Sequence, residues 1–430
     1  MQPPHAISQS GTRREEEAIF LTGATGFLGR YLLAEMIANH SFTKILALVK
    51  GQKDQPRSAI QRLRKILETL SAARGFAISE EGNTLHVLTP GGKTTPVTVI
   101  EGDITLPGLG ISEPLDFDGV THICHTAAVT NLIALEELFE QVNITGTQNM
   151  LRFAKEHCNN LRLFCYVGTA YDLYSGKDTY LPATHPVEPQ SFVNGYSRSK
   201  WLARKAVVES GLPHCICLPG IITGCTSDGS LPEDVPLGVI YAPPQGMALL
   251  KHVCLPFLPT HTDLLTLDFW ALGDEEATLN VIPVDTVALL LERILKRAQS
   301  GTVYYLTNPQ SLSVGLILET AAKIIGVHGI QLKKDLTNRT SLEKLFIKVL
   351  SAYQPFMLGK VNQYDLSNTR TIAPDIPIPS PDKPLLEKLF SYVHQHRRWD
   401  YNRPDSIYKE SYIEQIQKRF TGDIQKVLTR

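Results

Sequence analysis

The chain has 430 residues, 43% apolar and 20% charged, enough to bury a large core as one large domain or two ordinary ones. Its net charge of −1 offers no basic surplus for nucleic acid and no like-charged block for a binding tail. No run approaches the ~18 uninterrupted apolar residues of a membrane-spanning helix, so the composition predicts a cytoplasmic protein with no transmembrane segment and no nucleic-acid partner.

Residues 1–17, MQPPHAISQSGTRREEE, are polar and lack an apolar core. They predict a disordered tail, not a signal peptide or anchor. From residue 18 strand-like and helix-like segments alternate. AIFLTG precedes a helix to about Asn39, and KILALVK precedes the helical SAIQRLRKILETL. VTVIEGD, THICHTAA and a helix around 132–158 follow, then LRLFCYVG, a helix from near Asn194, and PHCICLPG. Apolar β-rich runs separated by helices predict a parallel sheet covered on both faces. Right-handed crossovers make that sheet doubly wound.

Past Gly224 the pattern loosens. Residues 226–281 are rich in proline, leucine and aromatics, with weak periodicity. A strand LNVIPV, a helix from Asp285, a strand TVYYLT and a helix near 313–325 come next, then a polar helical region over 339–430. The expected division is a dinucleotide-binding domain over 18–225 and a smaller, mostly helical substrate-binding region over 226–430. Residues 278–310 are expected to return to the first domain's core. The proline-rich APDIPIPSPDKP, 373–384, reads as an exposed connection within the second region.

Seven scattered cysteines, an odd number in mostly apolar stretches, predict a reduced intracellular protein. Cys215 and Cys217 form a CxC pair pointing one way from a strand. A metal site needs further ligands at suitable spacing, and none is evident. Core packing is therefore expected there, and no metal.

Gly23, Gly26 and Gly29 lie three residues apart where the first strand becomes a helix. The first permits a tight turn. The second lets backbone amides approach a pyrophosphate, and the third lets the helix pack on the strand. The helix N-terminus adds free N–H groups and partial positive charge. A carboxylate at the end of the second strand would bind the ribose of NAD. This chain has Lys50 in that place, which favours the 2′-phosphate of NADP(H). Arg62 and Arg64 are candidates to assist, or solvated helix positions.

NGYSRSKW holds Tyr196 and Lys200, four residues apart and so on one helix face. An ammonium beside a phenol lowers its pKa and makes it a proton donor and acceptor near neutrality. Thr169 ends an apolar strand 27 residues earlier, at the edge where such sheets bind ligands. Its hydroxyl would hydrogen-bond a substrate oxygen, or merely cap the next turn.

TGATGFLG, GDI (102–104), HTAA (125–128), NITGT (143–147), YSRSK and LPGIITG, in that order, resemble the extended short-chain dehydrogenase/reductases with a Rossmann domain. EGDITLPGLGIS, VIPVDTVA and YYLTNP resemble the thioester-reductase and fatty acyl-CoA reductase branch. The similarity covers about residues 18–325. It implies that Gly23, Thr25, Gly26, Phe27, Leu28 and Gly29 line the pyrophosphate. It implies Asp103 and Ile104 beside the adenine, and Ala127, Ala128 and Asn143 along the middle of the cofactor. Pro219, Gly220 and Ile222 would lie near the nicotinamide, and Thr169, Tyr196 and Lys200 would form the catalytic triad. Two positions depart from the family: Gly168 where Ser is frequent, and Leu218 where Arg is frequent.

The resemblance implies an NADPH-dependent reductase of an acyl thioester on coenzyme A or a carrier protein. The product would be an aldehyde, and a second hydride would give the alcohol. The alternative is an extended family member acting on a sterol-like or sugar-nucleotide alcohol. The apolar stretch 247–272, with Phe257, Phe269 and Trp270, suits an acyl channel, core or an oligomer interface.

Overall fold

The computed structural model describes residues 17–429, apart from 53–54, 56, 113–114, 174–190, 259–263, 336–338, 360–362, 398 and 400–409. Residues 1–16 of the expected tail lie outside this set. Glu17 is fastened, with its carbonyl accepting from Thr43 N and its carboxylate paired with Lys296 and Arg162.

The first half follows the alternation in the sequence. β1 (Ala18–Thr22) leads into α1 (Phe27–Ala38), and β2 (Lys44–Val49) into α2 (Ser58–Arg74). β3 (Ala77–Glu81), β4 (Thr84–Leu88) and β5 (Thr94–Glu101) follow. β6 (Val120–His125) leads through α3 (Glu136–Phe139) and a π-helical turn at Glu140–Thr145 into α4 (Gly146–His157). β7 (Leu163–Val167), α5 (Gly195–Val208) and β8 (His214–Pro219) complete the series.

The nine-stranded sheet has the order β13-β8-β7-β6-β1-β2-β5-β4-β3, with β13 at Thr302–Leu306. All pairings from β13 to β5 are parallel, whereas β3 and β4 are antiparallel. The hairpin of β3 and β4 is a difference from the sequence expectation. Its signals were the alternating burial of Thr84–Leu88 and a turn at Gly82, where φ is +60°. The chain winds outward one way from β1 through β2, and the other way from β6. The switch point between β1 and β6 is where a doubly wound sheet binds its ligand. Both faces are covered, one by α1, α2 and α7 (Val284–Arg297), the other by α4 and α5.

Beyond β8 come β9 (Ile221–Thr223), α6 (Ala242–Cys254) and β10 (Leu265–Leu272), then β11 (Thr278–Leu279) and β12 (Val281–Pro283). The expected strand LNVIPV is thus split. β12 pairs with β9, and β11 with β14 (Leu312–Ser313). After α8 (Val314–Ile325), β15 (Val327–Lys333) pairs in parallel with β10, a small sheet that the weak periodicity concealed. Helices α9 (Ser341–Val349), α10 (Gln354–Leu358), α11 (Ser367–Ile372), α12 (Lys383–Tyr392) and α13 (Glu410–Thr429) finish the chain. The apolar sides of α9, α10, α12 and α13 share a core with α4 and α5, whereas Ile372 of α11 packs on the α1 and α7 face.

The proline-rich connection does not stay within this second region. Ala373 and Ile376 bury into the core on the α1 and α7 face, and Pro379 O accepts from Asn308 Nδ2 at 2.7 Å. Among the described residues no helix is long and apolar enough to cross a membrane.

Candidate active site

β1 ends in Gly23, whose φ of +77° favours glycine. A Cβ there would meet Thr126 Oγ1 at 2.5 Å and Ala127 N at 2.7 Å, so the turn presses on the loop after β6. A Cβ on Gly29 would lie 2.0 Å from Gly23 O; glycine there lets α1 seat against the turn. Gly26 is exposed and starts α1 with no side-chain cap. The amides of Phe27, Leu28 and Gly29 therefore open the helix towards solvent, as an anion site requires. Thr25 O is held at 2.9 Å by Arg30. The sequence reading missed Arg30, which also bonds Gly26 O and pairs with Asp234 at 2.6 Å, stapling the turn to the second region.

Lys50 stands exposed at the end of β2 and pairs with Asp103 at 2.7 Å. Burial works to raise the Asp103 carboxyl, but Lys50 and two hydrogen bonds from Thr105 hold it below the ordinary range. Arg62 donates to Lys50 O, whereas Arg64 is committed to Glu68 and Glu80. Ile104 is buried under Gly146 and its carbonyl accepts from Asn149.

Ala127 and Ala128 are half-buried in the loop after β6. Asn143 sits in the π-helical turn and is fully engaged. It exchanges two hydrogen bonds with Val129, at 2.8 and 3.1 Å, and donates to Ser199 Oγ at 2.9 Å. π-Bulges recur at functional sites. This one ties the loop after β6 to α5.

α5 starts where Asn194 Oδ1 accepts from Ser197 N at 2.8 Å. That cap puts Tyr196 in the first turn and Lys200 one turn later. The Thr169 hydroxyl faces the Tyr196 phenol and works to lower its pKa, so two members of the expected triad are brought together. Thr169 Oγ1 also accepts from Tyr171 N at 3.2 Å, so it caps the turn as well. Burial pushes the Tyr196 phenol up to about 12. Lys200 donates to Val167 O at 2.7 Å and lies 4.7 Å over the Tyr166 ring. Burial drives its pKa down to about 7 against the pull of Asp172. The expected lowering of the phenol pKa by Lys200 is thus not what this arrangement gives, because burial dominates at both groups. The Tyr196 phenol is therefore neutral at pH 7.

Asp172 and Arg204, both buried, pair at 3.2 Å and join the Thr169 loop to α5. Desolvation raises the Asp172 carboxyl despite Arg204. No local pattern announces this pair, since its members are 32 residues apart.

Pro219 O accepts from Ala170 N at 2.8 Å, and Gly220 N donates to Leu306 O at 3.0 Å. A Cβ on Gly220 would lie 2.8 Å from Asn280 Oδ1. Asn280 is a further residue the sequence reading missed; it also receives the Tyr171 hydroxyl and bonds Asn308. Ile222 is half-buried and pairs with Ile282.

The sulfurs of Cys165, Cys215 and Cys217 lie within 4.8 Å of one another, all buried. Sequence spacing showed two thiols; parallel register brings the third from β7, and Cys124 of β6 adjoins it.

α6, β10 and α9 enclose a narrow apolar pocket, lined among others by Met247, Leu250, Phe269, Trp270, Phe346 and Met357. Phe269 is core as well as lining, edge-to-face with Phe346 at 5.5 Å. Trp270 is half-buried under the Lys333 ammonium. Phe257 is not part of the lining. Phe356, next to Met357, packs on Tyr171 at 5.5 Å, which sets the cavity one layer of side chains from the Thr169 loop.

Residues 21–291 match the NAD-binding family described as male sterility protein. The chain is 27% identical over 236 residues to fatty acyl-CoA reductase wat of Drosophila melanogaster, covering 48% of this chain and 43% of that one. It is 23% identical over 435 residues to aldehyde reductase lnaA of Aspergillus flavus, covering 91% of this chain and 37% of that one. It thus spans less than half the length of these curated relatives. The terminal R domain of the myxalamid PKS-NRPS pathway has the same fold, with a TM-score of 0.65 at 24% identity, covering 89% of this chain and 92% of that one. The chain belongs to the male sterility NAD-binding family, a thioester-reductase and fatty acyl-CoA reductase branch of the extended short-chain dehydrogenase/reductases, whose cofactor is a nicotinamide dinucleotide.

Proposed function

We propose that this protein reduces an acyl thioester, on coenzyme A or a carrier protein, with NADPH. The observation that carries the reading is the Thr169 hydroxyl facing the Tyr196 phenol, with Lys200 buried one helical turn on, in a chain whose first strand opens into an uncapped glycine turn. The cradle fits a dinucleotide because added Cβ atoms at Gly23 and Gly29 would collide with backbone, and one at exposed Gly26 would crowd Gly23 O at 3.1 Å.

The turn from Gly23 to Gly26, through the amides of Phe27, Leu28 and Gly29 and with Thr25, would hold the pyrophosphate. Asp103 and Ile104 would flank the adenine, Ala127, Ala128 and Asn143 the middle, and Pro219, Gly220 and Ile222 the nicotinamide end. Lys50, assisted by Arg62, would meet a 2′-phosphate, which is the reason for preferring NADPH. When bound, the nicotinamide supplies hydride to the carbonyl carbon. Thr169 and Tyr196 would donate hydrogen bonds to the carbonyl oxygen, and Tyr196 would give it a proton. Lys200 would hold the ribose. Breaking the C–S bond of the resulting hemithioacetal releases the thiol and the aldehyde. A second round on the aldehyde yields the alcohol. The apolar cavity near the Thr169 loop supports an acyl substrate over a sugar nucleotide.

NADPH consumption with acyl-CoAs of graded length, a UDP-sugar and a sterol tests this reading. We expect turnover with acyl-CoAs, reduced ~10²–10⁴-fold in Tyr196→Phe. Turnover restricted to the sugar or sterol, or a fully active Tyr196→Phe, would overturn it.

A further inference from the structure

His125 closes β6 and is buried, directly before the Thr126–Ala128 loop. Its Nδ1 lies 2.7 Å from Thr22 Oγ1, and its Nε2 3.1 Å from Thr147 Oγ1. Thr22 is the last residue before the glycine turn. Its carbonyl accepts from Thr126 Oγ1 at 2.7 Å, and its hydroxyl oxygen from Ala127 N at 3.4 Å. Thr147 spends its hydroxyl proton on Asn143 O at 2.7 Å. Asn143 reaches Ser199 Oγ, which donates to Tyr196 O at 2.8 Å. The bonds form one buried chain from Thr22 through His125, Thr147, Asn143 and Ser199 to Tyr196.

The connectivity fixes the tautomer. Because Thr147 Oγ1 already donates to Asn143, it can only accept from the ring, so Nε2 carries the proton. Nδ1 then accepts from Thr22, which leaves the Thr22 oxygen free to receive Ala127 N. Each donor in the chain has one acceptor. The rings of Phe164 and Tyr166 lie 6.3 and 6.1 Å away, so the surroundings favour a neutral imidazole. Burial, with the Lys200 charge, drives the His125 pKa down to about 3.

We infer that His125 is a positioning residue for the reaction, the link that holds the glycine turn and its following loop in register with the helix of Tyr196 and Lys200. The inference rests on the reading of Tyr196 and Lys200 as catalytic. A phenylalanine fills the space and severs the chain at both ends. A glutamine carries one donor and one acceptor and keeps a partial link. Loss of register separates the dinucleotide cradle from the proton donor, and displacements of this kind cost up to ~100-fold in rate.

The test uses the full chain with His125→Phe, His125→Gln, Thr147→Val, Thr147→Ser and Tyr196→Phe. It measures kcat and KM for an acyl-CoA, the NADPH dissociation constant, and the imidazole ¹⁵N spectrum. We expect His125→Phe and Thr147→Val to lose ~10–100-fold in kcat with KM little changed, and to weaken NADPH. His125→Gln and Thr147→Ser should recover most of both. Their losses should not add when combined, since the residues share one chain. The His125 resonances, assigned by their loss in His125→Gln, should show a neutral ring protonated at Nε2 down to pH 5. A charged ring at pH 6, or the Nδ1–H tautomer, would overturn the inference. So would wild-type kcat and NADPH affinity in Thr147→Val, which remains decisive if His125→Phe does not fold. An inactive Tyr196→Phe beside a normal His125→Phe would remove the inference alone, whereas a fully active Tyr196→Phe would remove the catalytic reading beneath it.

Discussion

A Cβ placed on Gly168 would lie 2.7 Å from Cδ2 of Leu218. These are the two positions at which the resemblance to the family expects other residues, Ser and Arg, and they fill one space across adjacent strands. Leu218 is fully buried, so its side chain has little room to withdraw. The departures are therefore a matched pair.

The first prediction follows from that contact. Gly168→Ser alone should destabilise by ~1–3 kcal/mol through overpacking. Leu218→Ala alone should cost ~2–5 kcal/mol through the cavity it leaves. The double variant should be more stable than the sum predicts, by ~0.5–3 kcal/mol. Urea unfolding of the four proteins measures the coupling, and strict additivity would show that the two side chains do not share the space.

A second prediction concerns cofactor choice. Lys50 is exposed and its ammonium already faces Asp103. Lys50→Glu would set a carboxylate against Asp103 and against a 2′-phosphate, so the ratio of NADPH to NADH affinity should fall. Calorimetric titration with both dinucleotides reads it. An unchanged ratio would make Lys50 a surface partner of Asp103 and nothing more.

Lys200 makes the fold pH-dependent in a defined direction. Its folded pKa is lowered from 10.5 to about 7 by burial. Between those values the unfolded chain binds the extra proton, so stability rises with pH across the window. Below about pH 7 the full cost of burying the charge is present; above 10.5 it is gone. The stability of wild type relative to Lys200→Met should therefore improve from pH 7 to pH 10, by up to ~1.4 kcal/mol per pH unit. Urea midpoints at pH 7 and 9.5 decide this, and a gap that does not move with pH would contradict it.

What could be read from the sequence had a local cause. The glycine turn, the cap at Asn194 and the Tyr196–Lys200 spacing are set within a few residues, and so are most of the parallel strands. What escaped was non-local or weakly periodic. The Asp172–Arg204 pair, the third thiol from Cys165 and the Arg30–Asp234 staple join residues 32 to 204 apart. β10 and β15 pair across more than fifty residues of intervening chain, and β15, VHGIQLK, is too polar to announce a partner. The Tyr196 pKa was misjudged because i,i+4 spacing shows that two groups share a helix face, not where the ammonium turns or how dry the site is.

The last prediction separates core from channel in the apolar stretch. Phe269 and Trp270 are neighbours on β10 and alternate in direction, yet both reach the cavity. Phe269 is buried against Phe346, so Phe269→Ala should cost ~3–5 kcal/mol and depress every substrate alike. Trp270 is half-buried, and its ring is covered by Lys333 from one side. Trp270→Ala should leave most of the stability and enlarge the cavity. If an acyl tail lies there, shortening the wall removes contacts worth up to ~0.8 kcal/mol per buried methylene. KM should then rise more for long acyl-CoAs than for short ones. Melting temperatures together with KM across a chain-length series, measured on both variants, give the answer. A Trp270→Ala protein that loses affinity equally for two-carbon and long-chain thioesters would place the acyl group outside this cavity.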